Sequence, residues 1–490
     1  MDRFFLLFPI LFPFIGALIV RNLKTEDTRK RNILYEAVVV LSAACVWALI
    51  LNRPSEPLTF YSFTDYFSIT LRLDGFGSFF SGMSSTLWVF AMIYAFSYMA
   101  DEERAKEFLC YYVMTFGVTM GICFAGNMIT MFVFYEMLTL ITIPLVVHEY
   151  NHESMYAGRK YALFSFGGSA FAFIGVVVLG VFAGGTTFKL GGYAATISQI
   201  SRDLLYLIYV LTFMGFGVKS CVFPLHSWLP TASVAPTPVT ALLHAVAVVK
   251  AGIFAIIRLT YYCFGASFLL GSWAQKVVQV IVMFTVVYAA VKAVKERHFK
   301  RRLAYSTVSN LSYILIGVTL MTEAGMAAGL CHMLFHAIIK ISAFYCAGAV
   351  LKKTGREYIW ELDGIGKVMP VTFACFTASA LSLTGIPLFA GFVSKWQLCT
   401  AALSTGTPLG YAGVAVLIVS SFLCALYMIN IVIRAFFPKR ERDHFLRHPR
   451  SDAPAAMLVP VCLFSAVNIF FGLYGQPVVD LATNIARGLF

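Results

Sequence analysis

Seven titratable side chains stand inside long apolar stretches of the chain: Glu136, Lys219, Lys250, His332, His336, Lys340 and Lys395. A charged group at bilayer depth costs roughly 2.5–3.5 kcal/mol on insertion scales, so each one needs a purpose. Carboxylates, imidazoles and amines share one ability, the reversible uptake of a proton, and a buried series of them suits stepwise proton movement. Glu136 lies nine residues into the run that begins Asn127-Met-Ile-Thr, near its middle. It reads either as a carboxyl tied to a neighbouring helix by one hydrogen bond or as an acid that exchanges or stabilises a proton elsewhere.

Lys219 sits in Gly215-Phe-Gly-Val-Lys-Ser-Cys-Val-Phe-Pro224-Leu-His226-Ser-Trp-Leu-Pro230. Two glycines, a lysine and Pro224 break a helix at depth, and the carbonyls so freed must be satisfied by protein or by water in a cavity. A packing kink with a snorkelling lysine is the plainer reading, but Lys219 is too deep to snorkel. His226, just beyond the break, is an accessory candidate. Lys250 is 12 residues past Pro238, about 18 Å along a helix at 1.5 Å per residue, so it too is deep. His244 precedes it by six residues and does not share its face; it reads equally as a satisfied core histidine or as an accessory relay group. His332, His336 and Lys340 follow an i, i+4, i+8 spacing and form one stripe. Two such histidines could hold a metal or a haem, but no nearby Cys, Asp or Glu completes a metal site, and no partner helix offers matching histidines. Proton movement fits better. Lys395 follows a second break, Leu383-Thr-Gly385-Ile-Pro387, with Pro387 mirroring Pro224. One decoy is His148-Glu149-Tyr-Asn-His152, which matches the zinc-protease spacing but falls in a short polar loop where a helix and a third ligand are required.

The elements that must position these groups follow from composition. Of 490 residues 59% are hydrophobic and 12% charged, with mean hydropathy +0.80, against about 45–50% apolar and 25% charged in soluble domains. Soluble and disordered chains are excluded, and an all-α polytopic membrane protein remains. Apolar stretches predict 14 transmembrane helices: 4–20, 33–51, 76–99, 107–125, 128–147, 159–183, 203–223, 237–260, 274–294, 303–321, 324–350, 368–404, 410–434 and 455–475. Helices 7 and 12 are the discontinuous ones. Of the 37 Lys and Arg, 24 fall in connections after odd-numbered spans, Lys300 and Arg302 among them, and 8 on the other side, Arg258 among them. The positive-inside rule then puts both termini outside and the basic loops in the cytoplasm of a cell (inner) membrane. The net charge of +13 is thus a topology signal, with no nucleic-acid partner implied.

Met1-Asp2-Arg3 and the apolar run behind it read as a retained first span, since no cleavage site precedes Arg21. Eleven cysteines without a Cys-x-x-Cys pair read as apolar fillers and not as iron–sulfur ligands. No Walker A loop is present, so ATP does not drive the chain directly. No cofactor and no metal is expected in it. Spans 7 and 12 are five apart and therefore opposed in orientation, which predicts two inverted five-helix repeats. The chain divides accordingly into residues 1–106 (helices 1–3), 107–260 (helices 4–8), 261–434 (helices 9–13) and 435–490 (a cytoplasmic loop and helix 14).

The stretch Phe223-Pro-Leu-His-Ser-Trp-Leu-Pro-Thr-Ala-Ser-Val-Ala-Pro-Thr-Pro-Val-Thr-Ala-Leu-Leu-His, continued by Lys250-Ala-Gly and Arg258, is highly specific in combination. With Arg302-Leu-Ala-Tyr-Ser-Thr-Val-Ser, His336-Ala-Ile-Ile-Lys340 and Gly385-Ile-Pro through Lys395, the chain resembles, over almost its whole length, the antiporter-like membrane subunits shared by respiratory complex I, membrane-bound hydrogenases and Mrp-type cation/proton antiporters. The resemblance implies 14 helices with inverted five-helix repeats. It also implies that Glu136 pairs with Lys219, that Lys250 and the His332–His336–Lys340 stripe form a central hydrophilic axis, and that Lys395 ends the relay. The sequence after span 14 is too short for the long lateral helix of the largest members. A lysine in span 12, where some members have glutamate, narrows the subtype without settling it; a membrane-bound hydrogenase or an Mrp-like module is slightly favoured over a quinone-reducing complex.

The expected function is proton translocation, driven by redox chemistry in other subunits, with no catalytic chemistry of the chain's own. The expected partners are other membrane subunits, including neighbouring antiporter-like ones, the lipid bilayer, and H⁺ with Na⁺ as a second candidate ion. The alternative is a subunit of a non-redox Na⁺ (cation)/H⁺ antiporter; the rivals from other classes are a stand-alone cation/proton antiporter, which needs a carboxylate cation site where only Glu136 is available, and a passive scaffold, which leaves the buried charges without a reason.

Overall fold

The computed structural model describes residues 2–24, 27–64, 67–438 and 451–490. The helices run α1 (Phe8–Asn22), α2 (Thr28–Leu51), then, after the antiparallel hairpin β1 (Leu58–Ser62) and β2 (Ser68–Leu71), α3 (Gly75–Tyr98), α4 (Ala105–Cys123), α5 (Met128–Val146), α6 (His152–Phe182) and α7 (Arg202–Gly217). Next come α8 (Trp228–Ala232), α9 (Thr237–Ala245), α10 (Val248–Ile257) with a π-helical continuation over Arg258–Phe264, α11 (Ala266–Leu269), α12 (Trp273–Lys295), α13 (Phe299–Thr319) and α14 (Glu323–Thr354). The remainder is α15 (Ile365–Val368), α16 (Pro370–Thr384), α17 (Ala390–Ser404), α18 (Pro408–Phe436), α19 (Ala455–Leu473) and α20 (Gln476–Arg487).

Short polar side chains start these helices by taking up their first free N–H groups. Asp74 accepts from Gly77, Asn127 from Thr130, Asn151 from Ser154 and Thr322 from Gly325. Glycine ends two of them, Gly355 at φ 67° after α14 and Gly385 at φ 93° after α16, conformations that a residue without a Cβ adopts at no steric cost. Among the described residues, ten helices are long and apolar enough to cross a membrane.

The chain forms two compact units. The first comprises Met1–Ser220, Val246–Val277 and Gly488–Phe490; the second comprises Cys221–Ala245 and Val278–Arg487. In the first, Trp88 of α3 is wedged edge-on against Tyr112 and Phe116 of α4. In the second, α14 is the central post, buried at nearly every position from Gly325 to Val350 and flanked by α9, α13, α16, α17, α19 and α20. A helix apolar on all sides buries itself this way, and the polar residues it carries are then committed to the interior.

Several sequence expectations are corrected here. Span 7 is helical only to Gly217, because the glycines and Pro224 end it six residues early and residues 218–227 form turns. The sixth helix begins at His152, not 159, capped by Asn151, so the zinc-like motif straddles a loop and a helix start. His148 is buried against the Phe108 ring, where burial lowers its proton affinity, while His152 is exposed. The eighth span is a third interrupted helix, with α9 and α10 separated at Val246-Ala247. Arg258, Lys300 and Arg302, counted with the loop charges, are all buried. Neither the hairpin nor the amphipathic α20 was expected. The basic connection 439–450 lies outside the described residues.

Candidate functional site

In the first unit the site is built where α7 stops. Once the helix ends at Gly217, Lys219 turns inward, fully buried, and its ammonium donates to the carbonyl oxygen of Tyr135 on α5. The same ammonium lies 3.5 Å from the centre of the Tyr135 ring, a cation–π contact that gains strength when desolvated. The Tyr135 hydroxyl in turn donates to the carbonyl of Phe216 at 3.1 Å, tying α5 to the last turn of α7. Glu136, one residue on, is half-buried and accepts from the Ser169 hydroxyl of α6 at 2.5 Å. Its carboxylate is within electrostatic reach of Lys219. Glu136 thus has a hydrogen bond to a neighbouring helix, as the plainer of its two readings expects.

Lys250, also fully buried, is in the first turn of α10, just past the break. Gly252 lets α10 close on the broken end of α7. A Cβ there would lie 2.5 Å from the Ser220 nitrogen and 3.0 Å from the Lys219 Cβ. Gly252→Ala is therefore expected to push the two segments apart and lower ion translocation several-fold while the protein still assembles, read as translocation per intact complex; unchanged translocation would show that this approach does not matter.

At the far end of the same segment Arg258 forms a bidentate ion pair with Asp74, the cap of α3, with Nη2 to Oδ1 at 2.8 Å. Four aromatic rings surround the guanidinium.

In the second unit the stripe on α14 is intact and has a direction. At one end Lys340 donates to the Ser306 hydroxyl and, at 3.0 Å, to the carbonyl of Leu303, both on α13. His336 follows, its ring 5.9 Å from that of His332. His332 Nδ1 lies 2.9 Å from the hydroxyl of Ser394 on α17, and its ring is 5.4 Å from Tyr313. Lys395, next to Ser394, reaches back across the break between α16 and α17. It donates to the carbonyls of Leu383 (2.5 Å) and Thr384 (3.3 Å) and to Ser421 of α18 (3.1 Å), with its ammonium 5.1 Å from the Tyr313 ring. The end of the stripe that meets Lys395 is therefore His332, eight residues and about 12 Å of helix from Lys340.

The accessory histidines differ. His226 stacks on Phe223 and meets Tyr288 edge-on. His244 packs on Phe344 and makes a long 3.5 Å contact with the Ser233 hydroxyl. Pro224 lies between α7 and α8, and Pro387 between α16 and α17. Sequence reasoning missed Tyr135, Ser169, Ser306, Ser394 and Asp74. Acceptors for the lysines in both units include neutral carbonyls, rings and hydroxyls, which hold a proton without trapping it as a tight carboxylate pair would.

Residues 125–423 match the family described as NADH:quinone oxidoreductase/Mrp antiporter, TM. The chain is 27% identical over 485 residues to the N subunit of the NADH-quinone oxidoreductase of Desulforudis audaxviator (strain MP104C), covering 96% of this chain and 95% of the relative. It is 30% identical to the A/B component of a probable K(+)/H(+) antiporter of Rhizobium meliloti (strain 1021), over 81% of this chain but only 40% of that protein's length. It is 28% identical to the A1 component of a Na(+)/H(+) antiporter of Staphylococcus haemolyticus (strain JCSC1435), over 86% of this chain and 54% of the relative. Among solved structures it is similar to a chain of the membrane-bound sulfane sulfur reductase, an archaeal respiratory membrane complex, with TM-score 0.86 and 25% identity over 100% of this chain and 98% of the other. A chain of the Mrp complex from Dietzia sp. DQ12-45-1b gives TM-score 0.85 and 25% identity over 99% and 97%.

Proposed function

Because the chain belongs to the NADH:quinone oxidoreductase/Mrp antiporter transmembrane family, we propose that it is a proton-translocating subunit, moving H⁺ along Glu136, Lys219, Lys250, Lys340, His336, His332 and Lys395 under the drive of redox chemistry in other subunits. The observation that carries this reading is the commitment of all four lysines to the protein interior, none more than 7% exposed, where a charge has a cost and needs a use. The 14-span reading, both termini outside, and inverted repeats over helices 4–8 and 9–13 complete the proposal. So does the division into 1–106, 107–260, 261–434 and 435–490.

A proton enters from the cytoplasmic side at the broken seventh span and rests on Lys219 while Glu136 is close, since a nearby carboxylate favours the charged amine. When Glu136 is drawn towards a cation in a neighbouring protein of the complex, Lys219 releases the proton to Lys250. In the second unit the proton runs along α14 from Lys340 through His336 to His332. It then crosses by the Ser394 hydroxyl to Lys395 and leaves outside. No cofactor takes part in these steps, which need only groups that bind and release H⁺.

The second reading, a subunit of a non-redox cation/proton antiporter, is favoured by the K(+)/H(+) and Na(+)/H(+) relatives, of whose length the chain spans about half. It would use the same lysines and take its cation site from another subunit. Purification of the tagged protein in mild detergent separates the two. Co-migrating redox subunits support the redox-driven pump; co-migrating antiporter subunits without redox centres support the second reading; a lone homodimer excludes both.

A further inference from the structure

Lys219, Lys250, Lys340 and Lys395 are amines, and an amine can let its proton go. The buried cation at the other end of the Lys250 helix is different. Arg258 stands eight residues after Lys250, about 12 Å along the helix at 1.5 Å per residue, and is 1% exposed. A guanidinium carries five N–H donors and no acceptor, and does not deprotonate in proteins, so a chain of hydrogen bonds that reaches it cannot pass a proton through it. Its charge is also held in place. Asp74 grips it with both carboxylate oxygens. The rings of Tyr262, Phe188, Phe254 and Phe76 stand 4.3, 4.9, 4.9 and 5.4 Å from it.

The backbone around it is closed with equal care. The π-helical turn over Arg258–Phe264 offers its carbonyls sideways, and the 187–193 loop takes them up: Lys189 N–H donates to Tyr262 O at 3.2 Å and Tyr193 N–H to Cys263 O at 2.8 Å. Arg72, at the end of the hairpin, donates its N–H to Phe124 O at 2.7 Å. Gly77 allows α3 to close on α4, since a Cβ there would lie 2.5 Å from Cys123 O. On the sidedness of the basic loops, this is the outward end of the unit.

We propose that the Asp74–Arg258 pair and its aromatic collar are an ion barrier that closes the outer end of the first unit, so that a proton loaded on Lys219 or Lys250 has no direct way out there. Fixed arginines exclude protons and cations from other membrane pores by the same electrostatics. The inference rests on the relay reading and adds a second function to it: preventing a short circuit.

The test is passive proton entry into sealed proteoliposomes holding the purified complex, with no driving substrate. Asp74→Asn with Arg258→Met keeps the packing and leaves no orphaned charge. Arg258→Lys keeps a cation but supplies one that can release its proton. Both are expected to raise proton leak about tenfold, the equivalent of about 1.4 kcal/mol of barrier, with melting temperature little changed. Adding Lys219→Ala to either is expected to abolish the leak, because the leak runs through the relay. Tight vesicles with the Asn/Met variant overturn the barrier, as does a leak indifferent to Lys219→Ala, which a loosened fold would give. Driven pumping by the unmutated complex is measured separately: its absence counts against the relay reading, and its presence beside a tight Asn/Met variant counts against the barrier alone.

Discussion

Lys219→Ala is expected to abolish proton pumping in an assembled complex, and Lys219→Arg is expected to abolish it as well. The alanine expectation follows from position: just past the end of α7 the amine reaches the Tyr135 carbonyl and ring, and alanine has no group there that can hold a proton. The arginine result tests the mechanism more sharply. Arginine keeps the charge, the cation–π contact and the donor to the carbonyl, so a lysine that served only to pin α5 to α7 would be replaced without much loss. A relay must release its proton, and an arginine, which stays protonated in proteins, does not. Dye quenching in proteoliposomes, normalised to intact complex, is expected to fall to background for Lys219→Ala, Lys219→Arg and Glu136→Ala. Wild-type pumping by the arginine variant would falsify the relay.

Much of this was legible in the sequence, for a specific reason. A lone charge in an apolar run stands out because lipid leaves it no neutral explanation, so Glu136, Lys219, Lys250 and Lys340 could be picked out one at a time, and Gly with Pro located two of the breaks. What could not be read were the partners, because they are distant in sequence and chemically ordinary. Tyr135 precedes Lys219 by 84 residues, Ser306 precedes Lys340 by 34, and Ser394 follows His332 by 62. A serine in a membrane helix carries no mark that it faces a lysine rather than its own backbone. Asp74 and Arg258 are 184 residues apart, Asp74 just before its predicted span and Arg258 in the last turn of its own. Counting Lys and Arg by loop placed Arg258 among the connections, and Asp74, an acid, did not enter that count. The break at Val246-Ala247 has no proline within it to announce it. Just beyond it Gly252 packs closely against Ser220, a contact distant in sequence.

Lys340→Met is expected to stop pumping while leaving the protein as stable as before or more so. Methionine has nearly the length of lysine and adapts to irregular spaces, so little cavity remains. The acceptors that Lys340 leaves behind are not orphaned. The Leu303 carbonyl still accepts from the Ser306 hydroxyl at 2.8 Å and from Thr307 at 3.1 Å, so the desolvation penalty of an unpaired acceptor does not arise. Removing a fully buried ammonium also relieves a cost of roughly 2.5–3.5 kcal/mol on insertion scales. Even partial recovery of it would raise the melting midpoint by on the order of 2–4 °C per kcal/mol, by the scaling seen for soluble domains of 150–250 residues. Pumping, by contrast, loses the group that feeds His336, and the two histidines cannot be charged from a thioether. The two readouts move in opposite directions only if the lysine is kept for function at the expense of stability. A Lys340→Met complex that melts far below the wild type, yet pumps normally per intact molecule, would make the ammonium a structural tie between α13 and α14 and remove it from the relay.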